Sequence, residues 1–386
     1  MRAWHADEDE QRLRLRRASR SDDGFLSTFL VRPPSRWLTR PALALGLPAA
    51  AVTGVALLLG LAAAAAYAGG GTGWRVLGSV LLLASLVVDC VDGQVARLTR
   101  TTSARGAWLD VGADRVKEYA VYAGLAAGAH DRTGWVLALA AMALLVTRHH
   151  VDFAYATLGS SDADSGVAAW SARTDLRGWT LWARRFVIMP VGERTLVLVV
   201  LAPLLGVRAT LVVLLAWGLV AAAWTTAGRV GRTVLARSWP GVRPGAARQR
   251  LAALADVAPV PARAVEGAVG GRAGWLLVPA TRALEQGGTA LVAALVAPRA
   301  LAGAFAVLAV TAFAQYDVVY RQRLLGAVGT SGPLRVAGWP LRLVVVVVLL
   351  VTVRSSGVLL VVAGVLGVAA AASSVAAWWR SLPSTP

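Results

Sequence analysis

The feature that most constrains this chain is a recurring apolar segment of roughly 20 residues, separated from the next by a short arginine-bearing connection. That length lets a helix rising about 1.5 Å per residue cross a hydrocarbon core of about 30 Å. Such segments lie near 47–68, 76–96, 106–128, 133–156, 187–206 and 209–228, and again near 274–296, 300–318, 337–353 and 357–379. The expected fold is therefore all-α: a polytopic helical membrane protein with a six-helix core and about four further transmembrane helices. Composition agrees, with 57% hydrophobic and 16% charged residues against about 45–50% and 25% in soluble domains. One cysteine, Cys90, excludes a disulfide scaffold and a multi-cysteine zinc site.

A formal charge of +18 invites a nucleic-acid reading. The arginines, however, sit between apolar segments and form no aromatic-interleaved soluble face, so no nucleic-acid partner is expected. Their density alternates along the chain. Nine precede residue 41; Arg75, Arg132 and Arg208 each stand alone; between them come Arg97, Arg100 and Arg105, then six in 147–194, then six from Arg229 to Arg250. By the positive-inside rule the N-terminus is cytoplasmic, and a multi-pass protein of the cell (plasma) membrane with its active site on the cytoplasmic side is expected. Residues 1–22 read as a basic tail. Residues 23–40 mix Phe29, Leu30, Trp37 and Leu38 with arginines, as suits a helix lying in the interface. Residues 238–273, rich in Pro, Gly, Ala and Arg, read as a cytoplasmic linker, and 274–386 as a four-helix membrane region of unknown role. There Arg282 with Glu285, and Asp317 with Arg321, are spaced as structural ion pairs.

The chemistry concentrates in DCVDGQVARLTRTTSARGAWLDVGADR, residues 89–115. Carboxylates inside apolar helices are costly and mark function by default. Asp89 and Asp92 are three apart, and Asp110 and Asp114 four apart, so each pair shares a helix face. With a reversal near Thr101, two antiparallel helices bring all four to matching depths, roughly 13–19 Å from the turn at about 1.5 Å per residue. Four carboxylates in a low-dielectric site need compensation, and hard divalent cations such as Mg²⁺ or Mn²⁺ supply it through oxygen ligands. Gly93 and Ala96 leave room for a ligand, and Arg97 adds a cation suited to phosphate. Together these point to a diphosphate substrate.

Asp89-x2-Asp92-Gly93-x2-Ala96-Arg97-x8-Gly106-x3-Asp110-x3-Asp114 resembles, at all eight fixed positions, the signature of the CDP-alcohol phosphatidyltransferases. The resemblance covers about residues 24–235, so residues 23–237 are expected to form that family's core: an interfacial helix and six transmembrane helices. The chain is also similar to actinobacterial members with an appended C-terminal membrane domain. The resemblance implies that a phosphatidyl or phosphoalcohol group passes from CDP-diacylglycerol or another CDP-alcohol to a polar alcohol, inositol-type or glycerol phosphate, with release of CMP in phospholipid biosynthesis. It implies two metal ions, Mg²⁺ or Mn²⁺, on Asp89, Asp92, Asp110 and Asp114, with Asp114 also the general base. Asp89, Asp92, Gly93, Ala96, Arg97 and Gly106 would hold the CDP moiety. Arg148, Arg184, Arg185 and Arg194 fall where an acceptor would be bound, although Thr147-Arg148-His149-His150 departs from the stretch that family members often carry there.

Other signals are weaker. Glu118 continues the Asp114 face and is expected to pair with Arg115 or another arginine. His149 and Asp152 share a face but lack a third zinc ligand. Gly124-x3-Gly128 suits close helix packing in lipid and a homodimer. The competing reading is a transporter or lipid-binding membrane protein whose aspartates couple an ion, although paired repeats with broken helices are not visible.

Overall fold

The computed structural model describes residues 27–159, 187–235, 241–242, 245–326 and 338–380. The basic tail, Arg184 and Arg185 lie outside the described residues. Within them the chain is an all-α, polytopic membrane protein. Helices α1 (Arg32–Ala44), α2 (Ala49–Ala68), α3 (Thr72–Leu98), α4 (Ala104–Gly128), α5 (Arg132–Gly159) and α6 (Val191–Val230) form the first part. Shorter helices α7 (Ala246–Ala255), α8 (Ala262–Val269), α9 (Leu277–Arg282) and α10 (Gly288–Val296) follow, then α11 (Leu301–Leu325), α12 (Gly338–Thr352) and α13 (Ser356–Arg380).

Among the described residues six helices are long and apolar enough to cross a membrane: α2, α3, α5, α6 extended to Leu235, α11 and α13. The ten expected segments map onto these with four instructive differences. The segments near 187–206 and 209–228 run as α6, interrupted at Gly206, whose φ of 79° is open to glycine and strained for other residues. The segment near 274–296 is not one α-helix. Its hydrogen bonding passes from a 3₁₀ turn through α9 to a π turn at Ala283–Gly287 and then α10. The charged pair Arg282 and Glu285 sits at that π turn, and both side chains are buried. Helix α12, at 15 residues, is short for a span. Helix α4 is long enough, but it carries the charges of the site.

The chain divides into two compact units, residues 1–129 with 178–210, and residues 130–177 with 211–386. In the first, α2 packs against both α3 and α4. The contact with α4 is close because of glycine: a Cβ at Gly124 would lie 2.1 Å from the Ala64 carbonyl oxygen, and one at Gly128 would lie 2.0 Å from that of Tyr67. The Gly124-x3-Gly128 pair is thus used within the chain. Outward positions are apolar and exposed, Leu58 and Val80 among them, as a lipid-facing surface requires. In helix α1 the pattern inverts: Ser35 and Thr39 are buried while Trp37 and Leu38 are exposed. A buried amide ties it to α3. The Thr39 hydroxyl donates to Gln94 Oε1 at 2.7 Å, and Gln94 Nε2 donates to Ser35 Oγ at 2.8 Å.

The second unit holds α5, the later part of α6 and α7 to α13. The expected linker contributes α7 and α8, and α11 packs against α13. A buried charge network organises it. Arg282 pairs with Glu285 at 2.7 Å, and Arg342 bridges Asp256 and Glu285 at 2.8 Å each. Arg321 pairs with Asp317 at 2.8 Å. Both pairs anticipated from their spacing form.

Candidate active site

Helix α3 enters the site with Asp89 and Asp92 one helical turn apart, and α4 returns with Asp110 and Asp114. The reversal is made by Ser103, whose Oγ caps α4 by accepting the Gly106 N–H at 3.0 Å. A serine cap there satisfies one of the orphan amide donors of the first turn. The result is the face-to-face arrangement that spacing implied. Asp89, Asp92 and Asp110 each offer a carboxylate oxygen, all within 4.8 Å of one another. Three carboxylates that close form an all-oxygen donor set for a hard divalent cation. Among the described residues no other group of three such side chains is gathered.

The partners of these acids come from elsewhere in the chain. Thr53, on α2, donates its hydroxyl to Asp92 Oδ2 at 2.6 Å. Lys117, the only lysine in the sequence, reaches back along α4 to Asp114 at 2.9 Å and also to Asp89. One ammonium therefore bridges the two helices at the deep end of the cluster. Gly60 on α2 makes room for it, since a Cβ there would meet Lys117 Cγ at 2.7 Å. Lys117 was missed from the sequence, although its i,i+3 relation to Asp114 places it on the acidic face. Thr53 had no comparable signal, being 39 residues from its partner.

Beyond the acids, Gly93 and Ala96 are partly exposed and Arg97 is exposed. The Arg97 guanidinium folds over Gly93, where a Cβ would come within 3.0 Å of Nη1. Arg194, from the first turn of α6, is buried and gives its Nε to Glu118 Oε1 at 2.5 Å; Arg115 takes the other oxygen of Glu118 at 2.7 Å. Glu118 thus pairs as expected, with two arginines rather than one. Asp89, Asp114, Lys117, Glu118 and Arg194 line one open cavity. Within it the Arg194 Nη2 atom is buried with no hydrogen-bond partner, a donor still available to a ligand.

Arg148 is buried on α5 in the second unit. The neighbouring histidines are engaged there: His149 with the Tyr316 hydroxyl, and His150 Nδ1 with the Val146 carbonyl at 2.8 Å. Asp152 pairs with Arg229. These side chains assemble no zinc site.

No curated protein matches the chain. Residues 47–224 match the family model described as CDP-alcohol phosphatidyltransferase, and the matched stretch contains all four aspartates together with Lys117, Thr53 and Arg194. The family moves a phosphoalcohol group from a CDP-alcohol donor to an alcohol acceptor at a membrane and typically uses a divalent metal. Residues 47–224, a little under half of the chain, with their carboxylates facing one another across α3 and α4, are thus similar to the CDP-alcohol phosphatidyltransferase family.

Proposed function

We propose that this protein transfers a phosphatidyl or phosphoalcohol group from a CDP-linked donor to the hydroxyl of a polar acceptor, inositol-type or glycerol phosphate, and releases CMP. The observation that carries the reading is the carboxylate trio of Asp89, Asp92 and Asp110, with Asp114 beside it in a cavity that also holds Arg194. The donor set suits Mg²⁺ or Mn²⁺, and a bound ion would supply positive charge to the diphosphate. Two ions are the reading for four acids.

The side chains then divide the work. Gly93 and Ala96 leave space on α3 for the cytidine diphosphate, and the Arg97 guanidinium is suited to a phosphate oxygen. Asp114 accepts the proton of the acceptor hydroxyl. The acceptor oxygen forms a bond to the phosphorus distal to cytidine, the bond from that phosphorus to the bridging oxygen breaks, and CMP leaves with the electron pair. Lys117 donates to Asp114, which orients the carboxylate so that one oxygen faces the acceptor. Arg194, with a donor unused, suits an anionic group on that acceptor. The arginine distribution supports a cytoplasmic active site in the plasma membrane.

The test is CMP release by the purified protein with CDP-diacylglycerol, Mg²⁺ or Mn²⁺ and a panel of acceptors. Metal-dependent CMP formation with one acceptor class is expected. Ion or lipid flux without CMP formation would instead favour a transporter and overturn the reading.

A further inference from the structure

The second unit contains a cleft that the transfer reaction does not use. It is an open cleft with a cavity volume of about 240 Å³ between the last turns of α5, the last turns of α11, and α7. Arg250 of α7 and Arg323 of α11 line it, with Gln322, Thr157 and Phe153. Among the described residues no carboxylate lines it. Gln322 is 4% exposed, and its Nε2 is buried with no hydrogen-bond partner. Arg323 stacks its guanidinium on the Phe153 ring, 5.2 Å from the centroid. Stacking engages the face of a guanidinium and leaves its N–H edge for an acceptor.

The polar groups in this cleft are thus chiefly donors, two of them cationic. A buried amide donor left unsatisfied is costly, and an acceptor-rich ligand removes that cost. Helix C-termini attract cations, which accounts for an arginine in the last turn of α11. It does not account for a buried amide with its donor unused. Guanidinium pairs with a further N–H donor match phosphate oxygens in number and geometry.

We propose that this cleft is a phosphate-binding site, separate from the aspartate centre, formed by Arg250, Arg323 and Gln322. Its ligand is a phosphate group, carried either by an anionic lipid or by a soluble phosphomonoester. The open cleft accommodates a phosphate group in either case.

Binding to the full-length protein tests this. In one arm, native mass spectrometry follows retention of phosphatidylglycerol against phosphatidylcholine. In the other, calorimetry follows inorganic phosphate with chelator present, so that no divalent cation recruits phosphate to the aspartates. Saturable one-to-one binding in either arm is expected, and the arm that responds identifies the source. Arg250→Gln/Arg323→Gln should weaken it at least tenfold, while CMP release without added ligand stays at the parent rate. Gln322→Leu, which keeps both charges, should weaken it several-fold and serves if the double variant does not fold. Absence of saturable binding in both arms, or equal binding by parent and variants, would overturn the proposal.

Discussion

Two of the buried clusters of charge are built on opposite accounts. In the second unit Arg282 and Arg342 face Glu285 and Asp256, two cations against two acids, closed by distances of 2.7–2.8 Å. In the first unit Asp89 and Asp114 share a single ammonium, while Asp92 and Asp110 stand within 4.8 Å of Asp89. A balanced network satisfies itself and orders the helices that contribute to it. An acid-rich one suits a further cation. The difference separates a cluster whose charges balance from one whose acids suit a divalent cation, and neither helical spacing nor burial alone makes that distinction.

The largest effect is expected where the acid cluster meets the reacting hydroxyl. Asp114→Asn should lower kcat by about 10²–10⁴, the range attributed to a positioned general base. The protein should still fold and retain at least one Mn²⁺, because Asp89, Asp92 and Asp110 are untouched. CMP release and Mn²⁺ binding, measured on the same preparation, check this. Full turnover by the variant would remove Asp114 from the chemistry.

The balanced cluster should respond in stability. Glu285→Leu leaves Arg282 and Arg342 facing Asp256 alone, and unpairing a buried charge costs about 3–5 kcal/mol. Thermal unfolding in detergent should show a large fall in Tm. Arg282→Met/Glu285→Leu removes charge of both signs and should recover most of the loss, because apolar replacement of a whole buried pair is often neutral. A double variant as unstable as the single one would show that charge balance is not what the network provides.

How much of this was legible in the sequence follows from range. Asp89, Asp92, Asp110 and Asp114 could be set face to face because their spacing depends only on helical period and one short reversal. The Arg282–Glu285 and Asp317–Arg321 pairs were legible for the same reason. Contacts between distant helices were not: Thr53 with Asp92, and Thr39 and Ser35 with Gln94, depend on how α1, α2 and α3 pack. Gln94 did carry a signal, since a polar amide inside the α3 apolar run needs partners when buried. The segment near 274–296 read as one span because hydropathy averages over windows and does not register a π turn around a buried ion pair.

Lys117 sharpens the comparison from the other side, since its ammonium sits between two of the acids, Asp89 and Asp114. Replacing it with methionine keeps the stem that packs against Gly60 and removes the charge. Losing a positive charge beside Asp89 should tighten Mn²⁺ binding by roughly tenfold, a modest share of the interaction between charges a few ångströms apart at an effective dielectric near 20. Free Mn²⁺ measured by electron paramagnetic resonance reads this without turnover. Over the same change kcat should fall, because Asp114 loses the donor that orients it. Unchanged metal affinity in Lys117→Met would mean that the lysine supports the helices only.

The smallest expected effect isolates a single hydrogen bond. Thr53→Val keeps the β-branched shape against α3 and deletes the hydroxyl that donates to Asp92 Oδ2 at 2.6 Å. A hydrogen bond to a charged group contributes about 1.5–3 kcal/mol, but a bound cation takes over part of the stabilisation of the same carboxylate. The loss should therefore depend on the metal. Without it, Thr53→Val should lower Tm by a few degrees, as roughly 1 kcal/mol does in a domain of this size. With saturating Mn²⁺ the gap in Tm should narrow. If Asp92 were only a structural acid tied to Thr53, metal would leave the gap unchanged, and the trio would lose one of its ligands.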